Sequence, residues 1–272
     1  MKERKIWLSL VTPFDEARNV DWEAAIEYVR LLDRYDFAGF LVGGSVGEGL
    51  LLSDDEVRRY IDVVRKVSNK PIMLGVIDFN FQRAATRLAL DADFNLVTPC
   101  IYFKPPKEAT KEYFRQISNT SKSKVYLYNN AGRVGVNLDR SIYRFAYDEL
   151  ENVIGVKECD DAKFAEYSSE FTRWDFMTGN DPFMISKDFV NAGGSGCIST
   201  LANIAPKLSL DLAADPFDDT KAASWESLCS HAYSIPNPIA VKQMFAKWGV
   251  MKPYFRAQMH PLPEFEYPID KI

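Results

Sequence analysis

Lys157 stands at the end of a short apolar run, VIGVKE, at 153–158. In an extended segment, alternation would put Val153, Gly155 and Lys157 on one face and Ile154, Val156 and Glu158 on the other. A face that sets glycine beside lysine suits a crowded interior. A lysine ammonium held in such a place is partly desolvated, which favours the neutral amine, and a neutral amine attacks a ketone to form a Schiff base. The bland reading is a strand-end lysine turned to solvent. Tyr128 sits in a second run, KVYLYNN at 124–130, with Tyr126 on the same face. A phenol at a strand end can shuttle protons, although many buried tyrosines simply satisfy one hydrogen bond. Arg133 follows in a loop, where its fork could meet a carboxylate or form a surface ion pair. The segment GGSVGEG at 43–49 leaves another apolar run. Its glycines, Gly44 among them, would let backbone N–H groups converge on an anion, and Ser45 adds a hydroxyl. It is no Walker loop, because no Lys-Ser or Lys-Thr follows and Glu48 would repel a phosphate cluster.

These residues need a frame that brings several strand ends together. Eight short apolar runs recur, at 6–11, 39–44, 71–76, 95–100, 124–130, 153–158, 175–180 and 196–200. Amphipathic stretches such as DWEAAIEYVRLLDRYD separate them, and Ser53 is placed to cap the helix SDDEVRRYIDVVRKV. Near-continuous apolar strands are buried on both faces, and eight strand–helix units in about 200 residues fit a closed (β/α)8 TIM barrel better than an open doubly wound sheet. After Pro206 the strand pattern stops. The expectation is therefore a barrel over 1–205 and a short C-terminal helical extension of the same domain over 206–272, with helices near 206–213, 217–232 and 238–248.

The 272 residues carry 38 acidic and 33 basic side chains, a formal net charge of −5, with no basic run to meet a phosphate backbone. That argues against nucleic acid as a partner. No stretch approaches the roughly 20 apolar residues that span a bilayer, and the N-terminal sequence lacks a cleavable signal pattern, so a cytoplasmic protein with no membrane partner is expected. Cys100, Cys159, Cys197 and Cys229 form no C-x-x-C pair, and the two histidines, His231 and His260, lie near the C-terminus. A metal site is not expected. Reduced cysteine also fits the cytosol.

Taken together, VTPF (11–14), GGSVGEGLLLS (43–53), TP (98–99), YNNAGRVGVNL (128–138), IGVKE (154–158), GND (179–181), GGSGCISTLANIAP (193–206) and NPIAVK (237–242) occur in a telling order and spacing. In these segments the chain resembles the dihydrodipicolinate synthase / N-acetylneuraminate lyase family of pyruvate-dependent class I aldolases. The resemblance implies a homotetramer or homodimer in which Lys157 condenses with pyruvate and Tyr128, with Ser45, moves protons. The pyruvate carboxylate would rest on the N–H groups of Ser45 and Val46 beside Gly44, with Ile198 and Tyr102 also touching substrate. Arg133 matches the synthase branch, where the position meets the carboxylate of aspartate semialdehyde. No metal or organic cofactor is implied, because the protonated imine is itself the electron sink.

Two departures stand out. The family's GTTGE loop has Val46 in place of its second hydroxyl, and its TPYY segment has Ile101 in place of the second tyrosine of a proton relay. Tyr102 lies one residue on, where a side chain normally turns the other way. The alternatives are an aldolase of the same family acting on a 2-keto-3-deoxy sugar acid or related hydroxy-oxo acid, and a barrel that binds a keto acid without turnover.

Overall fold

The computed structural model describes residues 4–262 and 272. The strands are β1 (Lys5–Ser9), β2 (Gly39–Val42), β3 (Ile72–Val76), β4 (Phe94–Val97), β5 (Lys124–Asn129), β6 (Val153–Glu158), β7 (Asp175–Thr178) and β8 (Gly196–Ser199). Each pairs in parallel with the next, and β8 returns to β1, so the sheet closes into an eight-stranded barrel. All eight apolar runs contribute a strand. Helices α1 (Trp22–Asp33), α2 (Asp54–Val67), α3 (Phe81–Leu88), α4 (Lys107–Thr120), α5 (Ala131–Val134), α6 (Arg140–Glu149), α7 (Asp161–Glu170) and α8 (Lys187–Asn191) fall between the strands. Ser53 caps α2 in a capping box: its hydroxyl accepts from Glu56 N at 3.2 Å, while its own N–H donates to the Glu56 carboxylate at 2.9 Å.

The buried apolar side chains divide into two clusters because a barrel strand has an inner and an outer face. Trp7, Leu41, Met73, Leu96, Tyr126, Met177 and Ile198 fill the interior, so the barrel is a packed core rather than a pore. The larger cluster lies between strands and helices. In β6 the expected faces fail at the start and hold at the end. Val153 packs outward and Ile154 inward, because the register with β5 slips between Val125↔Val153 and Tyr126↔Gly155, leaving Ile154 as an extra residue. From Gly155 onward the alternation is as read. A Cβ at Gly155 would stand 2.6 Å from the Tyr126 ring, so only glycine fits that crowded inner position.

Beyond β8 come α9 (Pro206–Ala214), α10 (Asp219–Ala232) and α11 (Ile239–Lys247). Helix α10 begins two residues later than its periodicity suggests because Asp218 is its cap, accepting from Lys221 N at 3.0 Å. Leu212, Trp225 and Phe245 join the outer cluster of the barrel. The tail from 263 to 271 lies outside the described residues. Among the described residues, no helix is long and apolar enough to cross a membrane.

Candidate active site

The C-terminal ends of the strands surround a cavity of about 320 Å³. Lys157 reaches into it from the end of β6 and is only 6% exposed. Tyr128 is its paired neighbour on β5, and the Lys157 Nζ lies 4.5 Å from the centre of the Tyr128 ring. Space for the lysine stem comes from Gly179 on the far side, where a Cβ would stand 2.5 Å from Lys157 Cε. Among the described residues Lys157 forms no ion pair or hydrogen bond. With no partner to hold it elsewhere, the Nζ is within the cavity where a carbonyl carbon would bind. The Tyr128 hydroxyl accepts from Asn130 Nδ2 at 3.3 Å, leaving its own proton free for a reacting oxygen or carbon.

The loop after β2 supplies the opposite polarity. Gly44, Ser45 and Val46 line the cavity, and among the described residues the N–H groups of Ser45 and Val46 have no hydrogen-bond partner. Two adjacent free donors make a seat for a small carboxylate. The loop is held from behind. Thr12 Oγ1 donates to Gly47 O at 2.6 Å, and Glu48, left-handed at φ 54°, turns its side chain away from the cavity lining. The Glu48 carboxylate accepts from Lys242 Nζ at 2.6 Å and from the N–H groups of Arg256 and Ala257, each at 2.8 Å. Glu48 is therefore an anchor of the loop, not a charge aimed at the ligand. Burial pulls the Lys242 pKa down to about 8 against the opposing pull of Glu48. The second cation is Arg133, exposed on α5 at the cavity wall, with Asn130 capping the helix at 3.1 Å. Arg133 has no carboxylate partner among the described residues.

Two expected contacts are not in the cavity wall. Tyr102 is 80% exposed on the loop after β4, at φ 71°, stacked edge-on with Phe103. The one-residue offset does turn it away. Ile198 is buried in the interior of the barrel and does not line the cavity, and Ile101 packs against the same inner cluster. Conversely, Ser9, Asp161, Asn180, Thr200, Tyr233 and Asn237 line the cavity without having been singled out. Strand-end position marks Ser9, Asn180 and Thr200, and the run KECDD marks Asp161. Nothing local marks Tyr233, whereas Asn237 opens the NPIAVK segment; both arrive from between α10 and α11.

Glu158, one residue past the lysine, faces outward and is fully buried. It accepts from Tyr143 Oη at 2.6 Å and from Asn129 Nδ2 and Asp160 N at 2.8 Å each. Burial nevertheless dominates and raises its pKa from 4.5 to about 7. Between those values the folded protein keeps a proton that the unfolded chain has released, so this group's contribution to stability falls as pH rises. The loss is about 3 kcal/mol across the window. A Gln side chain can retain the hydrogen bonds, since the tyrosine hydroxyl can rotate to accept. Denaturant titrations at pH 5 and pH 7.5 should therefore show Glu158→Gln gaining on the natural protein at the higher pH. Equal differences at both values would refute the assignment.

Similarity to known proteins agrees with this geometry. The chain is 30% identical to the 4-hydroxy-tetrahydrodipicolinate synthase of Thermotoga neapolitana, over 96% of this chain and 94% of that protein. It superposes with a TM-score of 0.85 and 25% identity on the chloride-inhibited dihydrodipicolinate synthase of Acinetobacter baumannii, solved with pyruvate, covering 96% of this chain and 94% of that one. A monomeric dihydrodipicolinate synthase variant gives a TM-score of 0.85 at 26% identity, covering 96% and 92%. Residues 2–269 match the dihydrodipicolinate synthetase family, and with a closed barrel carrying a lysine, a tyrosine and an anion seat at its mouth, the chain belongs to that family.

Proposed function

We propose that this protein condenses pyruvate with aspartate semialdehyde, as a 4-hydroxy-tetrahydrodipicolinate synthase does. The observation that carries the reading is the unpaired, buried amine of Lys157 sharing one cavity with Tyr128 and the free N–H groups of Ser45 and Val46. Pyruvate seats its carboxylate on those donors. The amine attacks the ketone carbon and water leaves, giving a protonated imine. Loss of a methyl proton gives the enamine, whose carbon attacks the aldehyde, and Tyr128 supplies a proton to the new alkoxide. The acceptor's amino group then gives up a proton to water and, as the neutral amine, displaces Lys157 from the imine carbon, closing the ring and restoring the free amine. Arg133 holds the acceptor's carboxylate. The relative from Thermotoga neapolitana and the pyruvate complex of the Acinetobacter baumannii enzyme support this choice.

A sugar-acid aldolase is the second reading, favoured by the missing hydroxyl at Val46 and the apolar Ile101, and opposed by Arg133. The test is borohydride trapping with pyruvate, mapped by peptide mass, followed by pyruvate consumption over a panel of aldehydes. We expect an adduct on Lys157 and fastest consumption with aspartate semialdehyde. Faster turnover of glyceraldehyde, or faster cleavage of a 2-keto-3-deoxy sugar acid, would select the second reading. We also place the protein in the cytoplasm, as an oligomer whose subunit contacts cover the exposed side chains of Phe79, Tyr102 and Phe103. The barrel and the helical extension act as one domain. Sedimentation that gives a monomer at micromolar concentration would remove the oligomer.

A further inference from the structure

We propose that Asp161 is a specificity-determining residue that binds a positively charged amino group on the acceptor, so that the site takes amino-acid aldehydes in preference to aldehydes without an amine. The inference rests on the reading of Lys157 as the Schiff-base former and adds to it a choice between acceptors. Asp161 opens α7 and lines the same cavity as Arg133 and Lys157. Arg133 and Asp161 form no ion pair with each other, nor with any other side chain among the described residues. The acidic side chain is fixed in place: Asn180 Nδ2 donates to Asp161 Oδ1 at 2.9 Å and also holds Cys159 O at 3.2 Å. A positive and a negative group are thus held in one small cavity without neutralising each other.

That arrangement is costly for a ligand that is purely anionic. Pyruvate and the acceptor each bring a carboxylate, which the free N–H groups of the loop after β2 and Arg133 can receive. A fixed carboxylate nearby repels both unless something cationic meets it. Partial burial, with the neighbouring Asp160 charge, holds the Asp161 pKa above the ordinary carboxylate value, although the residue as a whole is exposed. An ammonium carries three donors and no acceptor. Asn237 also lines the cavity; its Oδ1 is closed to solvent and has no partner among the described residues, so it becomes a second acceptor once the side chain turns toward a bound ammonium. A hydroxylated aldehyde could give Asp161 a hydrogen bond but would leave its charge unmatched.

The experiment compares two acceptors that differ by that group alone, aspartate semialdehyde and succinic semialdehyde, by pyruvate consumption with the natural protein and Asp161→Asn. Water, in place of an amine, releases Lys157 from the succinic semialdehyde adduct, so KM and not kcat is compared between them. Asn keeps the shape and the bond to Asn180 while removing the charge. A charge-assisted hydrogen bond lost at one substrate group corresponds to a rise in KM of about 10- to 100-fold. We expect that rise for aspartate semialdehyde only, with succinic semialdehyde changed by less than about twofold. Equal change with both acceptors, or no change with either, overturns the inference. Borohydride trapping with pyruvate is run on both proteins. An adduct on Lys157 in both, with no change of preference, defeats the role of Asp161 alone. No adduct in the natural protein removes the Schiff-base reading and this inference with it.

Discussion

Lys157→Ala should lower kcat/KM for pyruvate consumption by at least about 10⁴-fold while leaving the fold intact, because it deletes the nucleophile and not merely a binding contact. Lys157 is the one lysine in the cavity wall among the described residues, so no neighbouring amine can take its place. Lys157→Arg should be as inactive, since a guanidinium stays protonated and cannot give a stable imine. The pair separates chemistry from charge: if the ammonium served only to attract pyruvate, arginine would preserve a large part of the activity. Stability should not suffer with the alanine variant. The natural side chain is buried without an ion pair, so its removal strands no partner and opens only a small void at the cavity wall. The checks are steady-state pyruvate consumption and a thermal melt. Retention of a tenth of the activity by either variant would defeat the mechanism.

Lys242→Met should be the most destabilising single change predicted for this chain. Its ammonium and the Glu48 carboxylate are both essentially inaccessible to solvent, and the pair is 2.6 Å apart. The ammonium also donates to Tyr254 O at 2.8 Å and lies over the rings of Phe14 and Phe255. Removing it leaves the buried carboxylate its two backbone donors but no counter-ion, which costs about 3–5 kcal/mol. For a chain of this size that is a fall in Tm of roughly 10 °C. Methionine fills much of the stem's volume, so the loss reports the charge and not a cavity. The double variant Glu48→Gln with Lys242→Met should recover part of the loss, because no unpaired ion then remains. The loop carrying the anion donors is fixed through Glu48, so the KM for pyruvate should rise by about tenfold in Lys242→Met. A melt within 2 °C of the natural protein, set against that expected fall, would show that the pair is not what holds the loop.

The barrel could be read in the residues because each strand buries both faces and so keeps a continuous apolar signature. The reactive lysine could be read for the same reason: a charged residue closing such a run has few roles open to it. Local periodicity failed where pairing between strands decides the outcome. Val153 and Ile154 exchange faces because β5 and β6 slip by one residue, and nothing in VIGVKE encodes the strand beside it. Tyr102 illustrates a different failure. Its type fits a substrate contact, but its backbone turns left-handed and carries the ring outward. Tyr233 reaches the cavity through a contact between segments far apart in sequence, its hydroxyl donating to the Asp181 carboxylate. Asp161 was visible as an acidic residue after a strand. Its bond to Asn180 was not.

The slip at Ile154 also decides what kind of change the enzyme can survive. The extra residue is absorbed at the N-terminal end of β6, below the point where Tyr126↔Gly155 and Tyr128↔Lys157 come into register. Length variation on that side can be taken up by the irregular pair without rotating the lysine out of the barrel, whereas one residue added between Gly155 and Lys157 would turn it toward the helices. The strand is thus tolerant at one end and intolerant at the other, and the bottom of the barrel is free to drift in sequence length while its reactive amine stays aimed.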